Sequence, residues 1–201
     1  MFVQEKELMN VCKVIGSPIC HCDPYNQYDK YILAPRSKDT MRKLFTDHAV
    51  YIKMYLVAFL DDRPEADLLS KRLFENQIEI GVYLGMYLGR DIGTSIGNLF
   101  TAHIKAIAQV LVFLKTGRRL DKALESIYRN IDELASALSR IQGSILEYGA
   151  VRIEFARHNE FIVEIARFHY ESEYSLEIEK YDEFFVHMMK FSDILCDGLI
   201  H

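Results

Sequence analysis

Glycine and proline are scarce in this 201-residue chain, which has ten of the first and four of the second. Turns depend on these residues, so their scarcity argues against an all-β fold and favours long helices. Long apolar runs are missing too, since a run such as Val110 to Leu114 is far too short to span a bilayer. The N-terminus lacks the charged and apolar regions of a signal peptide. We therefore expect an intracellular, cytoplasmic protein without a transmembrane segment.

Signatures of nucleic-acid binding and of catalysis are also missing. The formal charge of −5 is mild and no long basic stripe occurs, so we expect no nucleic-acid partner. Residues 93–97 (GTSIG) match the Gly-x-Ser-x-Gly pattern, but they follow no strand pattern, as a nucleophile elbow would, and no glycine-rich phosphate loop follows a strand pattern either. Whether the chain is an enzyme stays open at this point, with a non-catalytic role favoured. Glycines four residues apart favour close approach of a neighbouring helix or chain, at Gly85, Gly89, Gly93 and Gly97.

Cysteine usage gives little support for a structural zinc site. Cys20, His21 and Cys22 could supply soft ligands near the N-terminus, but paired CxxC spacings do not occur among the four cysteines. Reduced thiols in an intracellular protein are the interpretation that we favour.

Helical periodicity dominates the chain after its first 36 residues. Residues 1–36 show no sustained period and predict an irregular N-terminal arm, whereas residues 37–201 predict one helical domain. Six segments there carry apolar residues three and four positions apart, as one buried helix face requires. Short connections between such helices predict an all-α, antiparallel up-and-down bundle of about six helices.

The first and fifth predicted helices resemble each other. Placing His48 on His158 aligns Phe45 with Phe155 and Ile52 with Ile162, and a second helix follows in each case. This match predicts a divergent internal repeat of a helical hairpin, with halves at about 38–90 and 145–200. It also predicts approximate two-fold symmetry within the chain.

Four histidines interrupt the apolar stripes of these helices, at His48, His103, His158 and, on a flank, His187. Burying a histidine without a partner costs free energy, so four such positions suggest an arranged polar layer or a ligand site. A hydrogen-bonded core would draw on Asn76 and Gln77 as partners. A metal site would use the four imidazoles to bind Zn or Fe. Two carboxylates at i,i+4 spacing would be available to it, Glu154 and Glu183.

Several stretches resemble an uncharacterised family of small bacterial helical proteins that also occurs in large DNA viruses. The resemblance covers about 41–200, and its clearest motifs are 44–51 (LFTDHAVY), 72–81 (RLFENQIEIG), 87–89 (YLG) and the tyrosine, aspartate and histidine of 181–187. Some members are named glycosyltransferases, but this chain has neither alternating strands and helices nor a DxD triplet. The resemblance therefore implies no activity, and it leaves association with a virion open. The chain departs from the family pattern at Tyr51, Lys53, Ala102 and Arg157.

Three functions remain open from the sequence. The first is a non-catalytic assembly or interaction module that associates with itself or with other proteins, as a structural component of a larger particle such as a virion. Aromatic residues of the arm would supply contacts, at Tyr25, Tyr28 and Tyr31. The alternative is a bundle that binds Zn or Fe through its core histidines, although no cofactor is firmly indicated. The third is binding of a small apolar ligand in the core.

Overall fold

The computed structural model describes residues 38–200, and these form six helices without a strand. The predicted arm lies outside the described residues, together with Tyr25, Tyr28, Tyr31 and the Cys20–Cys22 segment. The all-α bundle that the periodicity predicts is confirmed. The helices are α1 Lys38–Leu60, α2 Ala66–Leu88, α3 Arg90–Lys115, α4 Asp121–Ser139, α5 Tyr148–Tyr170 and α6 Tyr174–Leu199.

Glycines mark several of the connections between these helices. Gly89, between α2 and α3, has a φ of +95°, and Gly117, just after α3, has a φ of +63°. L side chains rarely adopt such angles, so these positions end a helix without the strain that another residue would bring. α3 accordingly ends at Lys115, two residues before Gly117.

The six helices close into a ring. Each helix packs against its neighbours in sequence, and α6 packs against α1. Because the connections are short, α1, α3 and α5 run in one direction and α2, α4 and α6 in the other. The three odd-numbered helices also pack against one another, so they form the inner layer of the bundle.

The inner helices carry buried residues of the same or similar type at a constant spacing of 55 residues. The helical hairpin therefore occurs three times, as α1–α2, α3–α4 and α5–α6. The sequence interpretation found the first and third copies and missed the second, and three hairpins around a ring replace the two-fold arrangement that it predicted. Four layers of the inner helices show the correspondence: Met41, Ile96 and Val151; Phe45, Phe100 and Phe155; His48, His103 and His158; Ile52, Ile107 and Ile162.

Glycines let α2 and α3 approach closely, as their spacing predicts. A Cβ atom added to Gly93 would lie 2.4 Å from the carbonyl oxygen of Gly81 and 2.5 Å from the Cα of Gly85. Real Cβ atoms do not come so near to backbone atoms. The contact between these two helices thus depends on the absence of side chains at their crossing.

Within residues 38–200, α3 is the one helix that is long and apolar enough to cross a membrane by length and composition alone. Half of its most apolar stretch is buried inside the bundle, and the core helix of any bundle meets the same criterion. The expected lack of a transmembrane segment stays a prediction.

A candidate site of buried histidines at the centre of the bundle

Three histidines meet where the inner helices pack together. His48 comes from α1, His103 from α3 and His158 from α5, and their side chains are almost fully buried. The ring centroid of His158 lies 5.4 Å from that of His48 and 5.3 Å from that of His103. The imidazole of His158 therefore contacts both of the others. The structure thus brings together three of the four histidines that the sequence predicts for the site.

The even-numbered helix of each hairpin supplies the partner of that hairpin's histidine. These partners lie at similar positions along α2, α4 and α6. Each is within one helical turn of the position that the 55-residue spacing would give. The contacts run from His48 Nδ1 to Gln77 Nε2 at 3.1 Å, from His103 Nδ1 to Asn130 Oδ1 at 2.9 Å, and from His158 Nδ1 to Met188 Sδ at 3.1 Å.

Two of these contacts fix which ring nitrogen carries the hydrogen. Asn130 donates through Nδ2 to the Leu99 carbonyl at 3.0 Å, so its Oδ1 faces His103 and accepts from Nδ1–H. The thioether of Met188 can only accept, so His158 also donates through Nδ1–H. Both imidazoles, when neutral, then have Nε2 as their unprotonated nitrogen.

His48 has the opposite tautomer. Gln77 Nε2 lies 2.9 Å from both the Leu73 carbonyl oxygen and Asn76 Oδ1, and these acceptors orient the amide, whose two hydrogens are shared among them and His48 Nδ1. Nε2 therefore faces His48 Nδ1, which accepts, and the hydrogen of a neutral His48 sits on its own Nε2. The site thus combines one N–H donor with two imidazole acceptors.

Burial keeps all of these imidazoles neutral. It lowers the pKa of His48 to about 3, with a smaller contribution from nearby His103, and lowers the pKa of His103 to about 4. The pKa of His158 is held well below its usual range, first by burial and then by the neighbouring histidines. Losing hydration destabilises an imidazolium more than a neutral ring, so the site carries no charge near pH 7.

A cavity of about 10 Å³ lies between the rings. This volume is enough for roughly one water molecule and far below that of an organic ligand site. A small apolar ligand would fit only if core side chains moved. The cavity is lined by Phe45, His48, Gln77, Ile80, Phe100, His103, Phe155, His158, Met188 and Phe191.

Three polar atoms at this cavity are buried without a hydrogen-bond partner: Nε2 of His48, Nε2 of His103 and Oε1 of Gln77. Native interiors rarely leave such groups unsatisfied, and each one costs roughly 1–3 kcal/mol. The histidine layer is therefore only partly satisfied by the protein itself.

The fourth histidine is set apart from the other three. His187 lies on α6, with its ring centroid 6.3 Å from that of His158 and its Nδ1 3.5 Å from a carboxylate oxygen of Glu154. Burial, together with Arg157 and Lys190, lowers the pKa of His187 to about 4. Glu154 thus faces His187 across the two helices, whereas the sequence paired it with His158.

Glu183, the other predicted carboxylate, lies on the surface. Its Oε2 accepts from Lys180 Nζ at 2.9 Å, so it pairs along the outer face of α6. Across residues 38–200, no group of three or more His, Cys, Asp or Glu side chains is arranged to hold a metal ion. Metal binding by the histidines stays a prediction. For one ion to bind several of these imidazoles, their rings would have to rotate.

Two site residues were missed from the sequence, Asn130 and Met188. Asn130 falls beside the apolar seam of α4, and Met188 belongs to the seam of α6, so neither departs from an ordinary helix pattern. The constant spacing of His48, His103 and His158 does not lead to Asn130 either, because the same 55-residue step from Gln77 ends at Asp132.

Comparisons with protein-family models, with curated proteins and with solved structures give no match to this chain. The family resemblance noted in the sequence therefore remains a prediction.

Proposed function

We propose that this protein is a non-catalytic interaction module that works through the outer surface of its helical bundle, in assembly with copies of itself or with other protein chains. One observation carries the proposal. Four large apolar side chains lie close together in the chain where α5 turns into α6, and each is between 44% and 62% exposed. An exposed apolar patch is a common mark of an interaction site, and we propose that these four side chains form one. The four are Tyr170, Tyr174, Leu176 and Ile178.

The buried histidines also support a non-catalytic role. They are neutral, enclosed by the inner helices, and surround space for about one water molecule. General acid–base catalysis needs a group within hydrogen-bond reach of a substrate. A substrate could reach groups on the outer surface, but the enclosed histidines are not among them. Membership of a larger particle, including a virion, follows only from the family resemblance and has no separate support.

The proposal is tested by the mass of the full-length protein in solution. We expect a mass above the 23.4 kDa of one chain. The double substitution Tyr174→Asp and Ile178→Asp should return it to one chain, while circular dichroism and the melting temperature stay unchanged. A matched control is Ile153→Asp, at an exposed position of α5 far from this turn. Wild type and both variants running as monomers at every concentration would overturn assembly with copies of itself and leave other protein chains as the partners that the proposal allows.

A second candidate function is metal binding in the histidine core. It is favoured by the buried Nε2 atoms of His48 and His103, which lack partners. Zn or Fe would be held by His48, His103 and His158, with Gln77 turning its amide so that His48 can release Nε2–H. Protein purified without chelator should then contain about one metal per chain. The metal should be lost in His48→Ala with His158→Ala and kept in His169→Ala, which removes a histidine at the end of α5.

A further inference from the structure

Two hairpin tips carry opposite charge. Residues 160–183, which we call the acidic tip, contain eight Asp or Glu and two Lys or Arg. Residues 105–129, the basic tip, contain six Lys or Arg and two Asp or Glu. Six of the acidic and five of the basic side chains are exposed. The chain's mild overall charge therefore hides two surfaces of strong and opposite sign.

Both tips lie at the same end of the bundle. The turn between α1 and α2 contacts each of them: Asp62 Oδ1 lies 2.5 Å from Lys115 Nζ, and Asp61 Oδ1 lies 3.0 Å from His169 Nε2. Since α3 and α5 run in the same direction, their C-terminal turns must emerge together. One end of the molecule thus presents an acidic surface and a basic surface on neighbouring hairpins.

This arrangement suits a second copy of the same chain. When two such ends meet about a two-fold axis, the acidic tip of each copy faces the basic tip of the other, and the contact forms twice. Opposite potentials favour this pairing and speed the encounter. The exposed Tyr174 and Ile178 of the acidic tip, and Val112 of the basic tip, supply apolar area for the interface.

We propose that the chain forms a symmetric end-to-end dimer in which the acidic tip of one copy binds the basic tip of the other. This inference rests on the proposed function and names its partner as a second copy. The two-fold arrangement closes on itself, so assembly through these surfaces stops at two chains.

The test is a charge-swap experiment on the full-length protein, followed by sedimentation velocity. The wild type should have a mass about twice 23.4 kDa at low salt and dissociate as salt is raised. A basic-tip variant, Arg118→Glu with Arg119→Glu, and an acidic-tip variant, Glu171→Lys with Glu173→Lys, should each be monomeric, with dimerisation weakened at least tenfold. Mixing the two variants should restore a dimer, because both tip contacts again join opposite charges.

A control variant, Arg140→Glu with Glu147→Lys, changes exposed charges at the opposite end and should dimerise like the wild type. If both tip variants keep the wild-type mass while Tyr174→Asp with Ile178→Asp reduces it, the end-to-end dimer is wrong and the proposed interaction surface stands. A failure of the mixed variants to pair would also overturn the inference. A wild type that is monomeric under all conditions overturns the dimer and the self-association on which it rests.

Discussion

The Nδ1 atom of His103 lies 2.9 Å from Oδ1 of Asn130, and the same amide donates to the Leu99 carbonyl at 3.0 Å. Asn130 therefore joins α4 to α3 at the level of the buried histidine. Its two hydrogen bonds set both the position of the imidazole and the nitrogen that carries its hydrogen.

Replacing Asn130 by leucine should lower the free energy of unfolding by about 2 kcal/mol, because the buried Nδ1–H of His103 loses its acceptor. Urea unfolding at pH 7 measures the change. Asn98→Leu, at an exposed position of α3, is the matched control and should stay within about 0.5 kcal/mol of the wild type. Equal effects at both positions would mean that the His103–Asn130 contact does not stabilise the fold.

Acid should destabilise this bundle before its carboxylates titrate. Burial lowers the pKa values of His48, His103 and His187 to between about 3 and 4, so the unfolded chain binds protons that the folded chain excludes. The stability is fully present above the unfolded pKa, near 6.5, and is lost as the pH falls toward 4. Between pH 6 and pH 5 we expect a loss of about 1 kcal/mol for each buried histidine.

Urea unfolding from pH 8 to pH 5 measures this dependence. His48→Asn should make the slope shallower by about one proton. A free energy of unfolding that stays constant down to pH 5 would show that the histidines are not buried as neutral groups.

The close crossing of α2 and α3 should tolerate no side chain at Gly93. Its added Cβ would meet backbone atoms of Gly81 and Gly85, which cannot move aside without shifting a helix. We expect Gly93→Ala to destabilise the protein by about 3 kcal/mol, as overpacking of a tight core does. A Cβ on Gly149, at the start of α5, would meet nothing within 4 Å, so Gly149→Ala should be neutral or stabilising. Similar thermal melts for the two variants would argue against the helix crossing.

Glu177 joins three helix ends through one buried carboxylate. It contacts Lys53 of α1, and its oxygens lie 3.0 and 3.1 Å from Nδ1 of His169, whose Nε2 faces Asp61. Glu177→Gln removes the negative charge that Lys53 faces and should cost about 2 kcal/mol, less than the loss of a fully buried pair because Lys53 is partly exposed. Glu179→Gln, at an exposed position two residues later, should change little. Chemical denaturation of the two variants tests the difference, and equal midpoints would contradict it.

The periodicity of the apolar residues predicted six helices and their order, because burial of one face imposes a spacing of three and four on any helix of a bundle. It also placed His48, His103 and His158 in buried positions. The hairpin repeat was visible in Phe45, Ile52 and their counterparts near His158, since the inner helices keep their residue types. The outer helices vary in residue type and offset, which hid the middle copy.

By itself, then, the amino-acid sequence determined the helical class, the buried faces and the residue types available in the core. Tertiary structure decided which of these residues meet. Glu154 faces His187 rather than His158, Glu183 pairs with Lys180 outside, and Gln77, Asn130 and Met188 each hold one histidine. The spacing of residues along a helix determines only the side of that helix on which each side chain lies. Partners across the bundle depend on how the three hairpins pack, and that follows from the fit of all six helices at once.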